Sequence, residues 1–97
     1  MLVKVHKSGE KKIVSIADRD LIGKEFEEGE VYLNVSKSFY DGDEMGEEMI
    51  GLLDGVSSIN IVGRESVDFA LNHNLISKDH IMEVSGIPYA MTVFYAE

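Results

Sequence analysis

Two kinds of hydrophobic spacing alternate along this chain. Leu2-Val3-Lys4-Val5-His6 and Ile13-Val14-Ser15-Ile16-Ala17 read as strands, and Lys7-Ser8-Gly9-Glu10 between them suits a hairpin loop. Asp18 to Gly23 reads as a short helical turn that Asp18 caps and Gly23 ends. Lys24 to Glu28 reads as extended, with Gly29 as punctuation. Val31-Tyr32-Leu33-Asn34-Val35 alternates with period two, which sets Val31, Leu33 and Val35 on one face and Tyr32 and Asn34 on the other.

Helical spacing takes over from Asp41 to Asp54, where Met45, Met49, Leu52, Leu53 and Val56 form one stripe. Gly46 and Gly51 each weaken that helix by about 1 kcal/mol relative to Ala, and Gly55 stands where it should stop. Ser58 to Val62 is a further strand. It breaks at Gly63 into a second helix, Arg64 to His73, whose Val67, Ala70, Leu71 and Leu75 line one side. Asn74 suits the left-handed residue past that helix end, because Asn tolerates positive φ. His80 to Val84 and Tyr89 to Ala96 read as closing strands joined through Ser85-Gly86-Ile87-Pro88.

From Val31 onward the order is strand, helix, strand, helix, strand, which favours parallel neighbours. The expected architecture is α/β (α+β): one domain over residues 1–97, built as a two-layer sandwich. Its mixed sheet of about five to six strands begins with an antiparallel hairpin, and two main helices cover one face. No repeat or linker interrupts the pattern.

Composition narrows the function classes. The chain has no cysteine, which removes thiolate zinc, iron–sulfur ligation, a Cys nucleophile and a disulfide framework. The N-terminal stretch alternates instead of running apolar, unlike a signal peptide, and no apolar run reaches the length of a membrane span, so a cytoplasmic protein without a membrane partner is expected. Net charge is −9 and unevenly spread: residues 1–17 carry four Lys against one Glu, whereas residues 18–54 carry twelve acidic groups against three basic. Such a surface repels polyanions, so non-specific nucleic-acid binding is disfavoured.

Four places carry candidate chemistry. At the corner Gly63-Arg64-Glu65-Ser66, free N–H groups at a helix start, helped by Arg64 and Ser66, would suit a phosphate or carboxylate. One glycine is far from a phosphate-binding loop, and Glu65 works against an anion, so an ordinary strand-to-helix connection is the plainer account. The run Asp41 to Glu48 begins like a calcium loop, then fails with Met45 at position five and Leu52 at position twelve. Its carboxylates are explained by the positive end of a helix dipole, so no metal site or cofactor is expected. Lys4, Lys7, Lys11 and Lys12 surround the first hairpin, where they blunt a sheet edge or meet RNA phosphate. Tyr32, Asn34, Ser58 and Asn60 form a polar–aromatic strand face that must be solvated or meet a partner if helices cover only one side. His6, His73 and His80 lack metal-ligand spacing, and no serine sits in a nucleophile elbow, so the reading leans away from an enzyme.

Three blocks carry a family resemblance: Asp18 to Gly29, Ile61-Val62-Gly63-Arg64-Glu65-Ser66-Val67, and Gly86-Ile87-Pro88-Tyr89-Ala90. Together they resemble a small archaeal family, the domain of unknown function numbered 424, whose members are single-domain chains of about this length. The resemblance spans the chain end to end and implies an archaeal source and a mixed α/β domain. It transfers no catalytic residues. Asn74 departs from it, standing where glycine would be the easier helix stop. The resulting expectation is a non-enzymatic binding or adaptor module for a basic protein or ribonucleoprotein, serving archaeal RNA or translation machinery. The alternative is a small-molecule or phosphate-ligand domain at Gly63. Oligomeric state is left open by the sequence.

Overall fold

The computed structural model describes residues 1–94. In chain order its strands are β1 (Leu2–Ser8), β2 (Lys11–Ala17), β3 (Glu25–Glu28), β4 (Val31–Asn34), β5 (Asp43–Glu44), β6 (Ser58–Val62), β7 (Met82–Val84) and β8 (Ile87–Val93). Two α-helices, α1 (Lys37–Tyr40) and α2 (Arg64–Asn72), and 3-10 turns at Arg19–Leu21, Glu47–Leu53 and Lys78–His80 complete it. Six strands form one mixed sheet in the order β5-β1-β2-β6-β8-β7, while β3 and β4 pair only with each other. This is the mixed α+β architecture expected, with the N-terminal hairpin in place: Leu2 faces Ala17 and Ser8 faces Lys11, leaving Gly9-Glu10 as the turn.

Three expectations are corrected. The parallel pair is β2 with β6, Ile13 opposite Ser58 through Ala17 opposite Val62, whereas β8 runs antiparallel to β6. The strand at Val31 is not in the main sheet; it folds back on β3, with Glu25 opposite Asn34 and Glu27 opposite Tyr32. Period two marks a half-buried strand without naming its partner. The stretch from Asp41 to Asp54 is not an α-helix. Asp43 and Glu44 pair with Val3 and Leu2 at the sheet edge, and Gly46 is extended at φ −137° and ψ 175°.

From Glu47 onward the chain coils with i to i+3 bonds, Met49 N to Gly46 O at 2.9 Å and Asp54 N to Gly51 O at 3.2 Å. The tighter coil still brings the same apolar residues to the core, Met45, Met49, Leu52, Leu53 and Val56, and adds Ile50 to them. Burial decides here over a propensity that two glycines had already weakened.

Side chains on the two faces of the sheet feed two separate clusters. One face sends Val3, Val14, Ile16, Ile59, Ile61 and Ala90 against Val67 and Ala70 of α2 and against Met45 and Leu53. The other face sends Ala17 and Val62 against Leu21, Val35 and Tyr40, with Phe26, Leu33 and Phe39 packed around them. The β3–β4 hairpin and α1 are therefore a partial second cover on the face expected to stay open. Here α1 is docked by polar contacts: the Ser15 hydroxyl, fully buried, donates to the Phe39 carbonyl at 2.5 Å, and the His6 ring stacks on Phe39 at 4.4 Å with Nε2 at 2.9 Å from the same oxygen.

Helix α2 ends as anticipated. Asn74 takes φ +58°, its N–H bonds Leu71 O at 3.1 Å and the N–H of Leu75 bonds Ala70 O at 2.9 Å, the two bonds of a Schellman stop. At the last hairpin Ser85 and Gly86 both have positive φ, +50° and +80°, as a two-residue type I′ turn requires. Pro88 is thus inside β8 and not at its first position. It fits because its carbonyl accepts from Gly63 N at 2.8 Å, while the carbonyl of Gly63, which Pro88 cannot serve, accepts from Val67 N at 2.8 Å instead. The expected extension of this strand through 95–96 lies outside the described residues.

Burial in the second cluster pushes the Tyr40 phenol up to about 12 from its ordinary 10.0. A folded-state value above the unfolded one means that stability is full below pH 10.0 and falls as pH rises toward about 12, where the unfolded chain loses its proton first. Urea unfolding across this range should show the loss in the wild type and a smaller one in Tyr40→Phe; equal losses would show that Tyr40 has no part in it.

Candidate functional site

Asp18 follows directly on β2 and its N–H donates to the Val62 carbonyl at 3.0 Å, so it sits beside the point where β6 gives way to α2. Gly63 is the residue before the helix and has no side chain to cap it, at φ +105° and ψ +156°, a region open essentially to glycine alone. The cap comes instead from Asp18. One carboxylate oxygen accepts from Ser66 N and from Ser66 Oγ, both at 2.8 Å, and the other accepts from Glu65 N at 3.2 Å. A Cβ on Gly63 would overlap that carboxylate. Glycine is needed twice over, for its backbone angles and for the space Asp18 occupies.

At the corner of Gly63, Arg64 and Ser66 the helix-start N–H groups meet a carboxylate, and it is the chain's own. Ser66 is fully buried in this contact. Arg64 is exposed, and Glu65 turns out to the α-amino group of Met1 at 3.0 Å. Sequence reading gave Asp18 only a local role, as the cap of its own short turn, and there it makes no side-chain cap bond. The available clue was a helix beginning Gly-Arg-Glu with no capping side chain of its own, which requires a cap from elsewhere.

The lysines do not gather into one patch. Lys7 faces Lys12 across the hairpin on one side of the sheet, while Lys4, opposite Ser15, projects to the other. Lys4 Nζ donates to Ser38 O at 2.8 Å and Lys12 Nζ to Asp54 O at 3.0 Å, which leaves Lys7 and Lys11 as the exposed pair at the tip. Tyr32 and Asn34 lie on β4 of the small hairpin, and Ser58 and Asn60 on β6 of the main sheet, so the anticipated face is split between two sheets. The Tyr32 hydroxyl bonds Glu25. That bond, with some desolvation and the charges of Glu25 and Glu27, holds the phenol above its ordinary value.

The histidines stay apart: His6 lies under Phe39, His73 lies 3.4 Å from Glu47, and His80 accepts from Ser77 N at 3.2 Å. Among the described residues, no group of three or more His, Asp or Glu side chains is placed to hold a metal ion.

A surface that spacing alone did not mark emerges from the register of the last strands. Met82 lies opposite Tyr89, Asn60 opposite Met91, and Ser58 opposite Val93, all on the face that carries Val62. The hairpin and α1 cover its two ends, and what remains is open: Met82 is 53%, Met91 56% and Val93 45% exposed. The hairpin borders this opening, held by Ser85 N donating to Glu28 at 2.8 Å and Ser85 Oγ donating to Glu27 O at 3.3 Å.

A six-stranded mixed sheet with a self-capped helix corner, a small acidic hairpin and one half-open face defines a compact α+β domain. The chain belongs to the family described as "Protein of unknown function (DUF424)", whose model matches residues 5–94. A solved structure, that of an uncharacterized conserved protein from Methanopyrus kandleri, shares the fold at a TM-score of 0.81 and 22% identity, covering 99% of this chain and 93% of that one. Among curated proteins, none matches. No helix among the described residues is long and apolar enough to cross a membrane.

Removing the cap should loosen the fold. Asp18→Ala strips three bonds from a half-buried helix start and should cost about 2–3 kcal/mol, with Asp18→Asn losing roughly half as much. Gly63→Ala should cost about 2–4 kcal/mol through backbone strain and overlap with Asp18. Urea unfolding of the three variants is the check, and a wild-type midpoint in Asp18→Ala would refute the capping role.

Proposed function

We propose that this chain is a non-enzymatic binding module that meets a protein partner through the open half of its sheet, in the cytoplasm of an archaeal cell beside the RNA or translation machinery. The observation that carries the reading is a contrast between the two candidate sites. The corner at Gly63 is already filled by Asp18, whereas Met82, Met91 and Val93 stand exposed side by side. Scattered exposed apolar residues are ordinary, but a contiguous group on an otherwise covered sheet face is typical of an interaction surface. Methionine suits the task, since its unbranched, polarizable side chain adapts to the shape of a partner. An acidic chain finds its electrostatic complement in basic proteins, in which ribonucleoproteins are rich, and this supports the place beside RNA or translation machinery. Two lysines held by main-chain carbonyls offer little to RNA directly.

A phosphate-type ligand at the corner is disfavoured by the same geometry, because it would have to displace Asp18 from Ser66 and Glu65. Two measurements check the reading. Amide resonances of Gly63 to Ser66 should not move when inorganic phosphate is added. In pull-downs from an archaeal lysate, the proteins retained by the wild type should be lost by Met91→Glu; an unchanged set would exclude this face as the binding surface.

A further inference from the structure

We infer that the partner covering this face is a basic polypeptide segment bearing an apolar anchor, which seats on Met82, Met91 and Val93 and sets its positive charges against the β3–β4 hairpin; this rests on the binding-module reading above. The hairpin, residues 25–34, contains Glu25, Glu27, Glu28 and Glu30 and no lysine or arginine. Every one of these glutamates is exposed, and the ion pairs found among the described residues, Met1 with Glu65, Arg19 with Glu44 and His73 with Glu47, include none of them. The hairpin is also fixed next to the apolar opening, because Ser85, in the turn that joins β7 to β8, binds Glu28 and the Glu27 carbonyl. Met82 begins β7 and Met91 lies in β8, so the strand pair that carries the apolar floor also anchors the acidic hairpin through its turn.

Charge selects among the possible occupants. A second copy would bring another chain of net charge −9 against the same acidic wall, and a nucleic acid or an anionic lipid surface meets the same repulsion. A basic segment alone gains from both halves of the surface: its apolar side chain buries against the methionines, and its Lys or Arg groups pair with exposed carboxylates that form no ion pair among the described residues.

The test is selection of a random peptide library displayed on phage against the intact protein, followed by affinity measurement on the enriched peptides. The expected outcome is enrichment of peptides with net positive charge and a bulky apolar residue. Their affinity should fall about tenfold in Met91→Glu and about threefold in the Glu27→Gln/Glu30→Gln double variant, and should weaken as salt is raised. All three substituted side chains are exposed, and a circular dichroism spectrum of each variant, expected to match the wild type, checks that it folds. Enriched peptides that are neutral or acidic, yet lose affinity in Met91→Glu, overturn the basic partner and leave the binding face standing. Binding that Met91→Glu does not change, or no enrichment at all, overturns the binding-face reading and the partner with it.

Discussion

The carboxylate of Asp18 lies where the end of one parallel strand meets the start of a helix that follows its neighbour. Strands β2 and β6 run side by side, so Asp18, leaving the first, lies against Gly63, leaving the second. Three hydrogen bonds join a residue before the crossover to a helix after it, across more than forty positions of chain. Charge-assisted bonds of this kind are stronger than neutral ones, and here they meet the positive end of the helix dipole. The placement of α2 over the first cluster depends on this junction, and with it the burial of Val67 and Ala70. In open α/β sheets the carboxyl ends of parallel strands are the usual ligand crevice. In this chain the side chain of Asp18 fills that position.

Closing the crevice shifts attention to the opposite face of the sheet. The β3–β4 hairpin and α1 each cover one end of it, and neither reaches the middle of β8. The segment between β2 and β6 thus supplies both a second small core and the acidic wall beside the exposed methionines. The Ser15 and His6 contacts to Phe39 add to the burial of Tyr40 in holding α1 in place, which suits a four-residue helix too short to be stable alone.

Much of the local structure was legible from residue order. Both hairpin strands at the N-terminus, the strand before Gly63, the helix after it and the left-handed Asn74 follow from periodicity and from the conformations glycine and asparagine tolerate. Other elements were legible only in part. The stripe from Met45 to Val56 named the right buried residues but the wrong helix, since spacings of three and four are shared by tight and regular helices and Gly46 tips the balance. The alternation at Val31 named a strand and turned Leu33 and Val35 inward, but left Val31 exposed and did not name the sheet the strand joins.

The sequence by itself determined the apolar core, the positions where the chain turns, the acidic character and the strand-to-helix corner at Gly63. Only the tertiary structure decided what occupies that corner and which face stays open. The reason is physical: periodicity and turn chemistry act over a few residues, whereas the Asp18 cap, the parallel pairing of β2 with β6 and the exposure of Met82 and Met91 are set by segments far apart in the chain. A helix that starts at glycine announces that it needs a partner for its N–H groups. Which residue answers is settled when two strand ends come together.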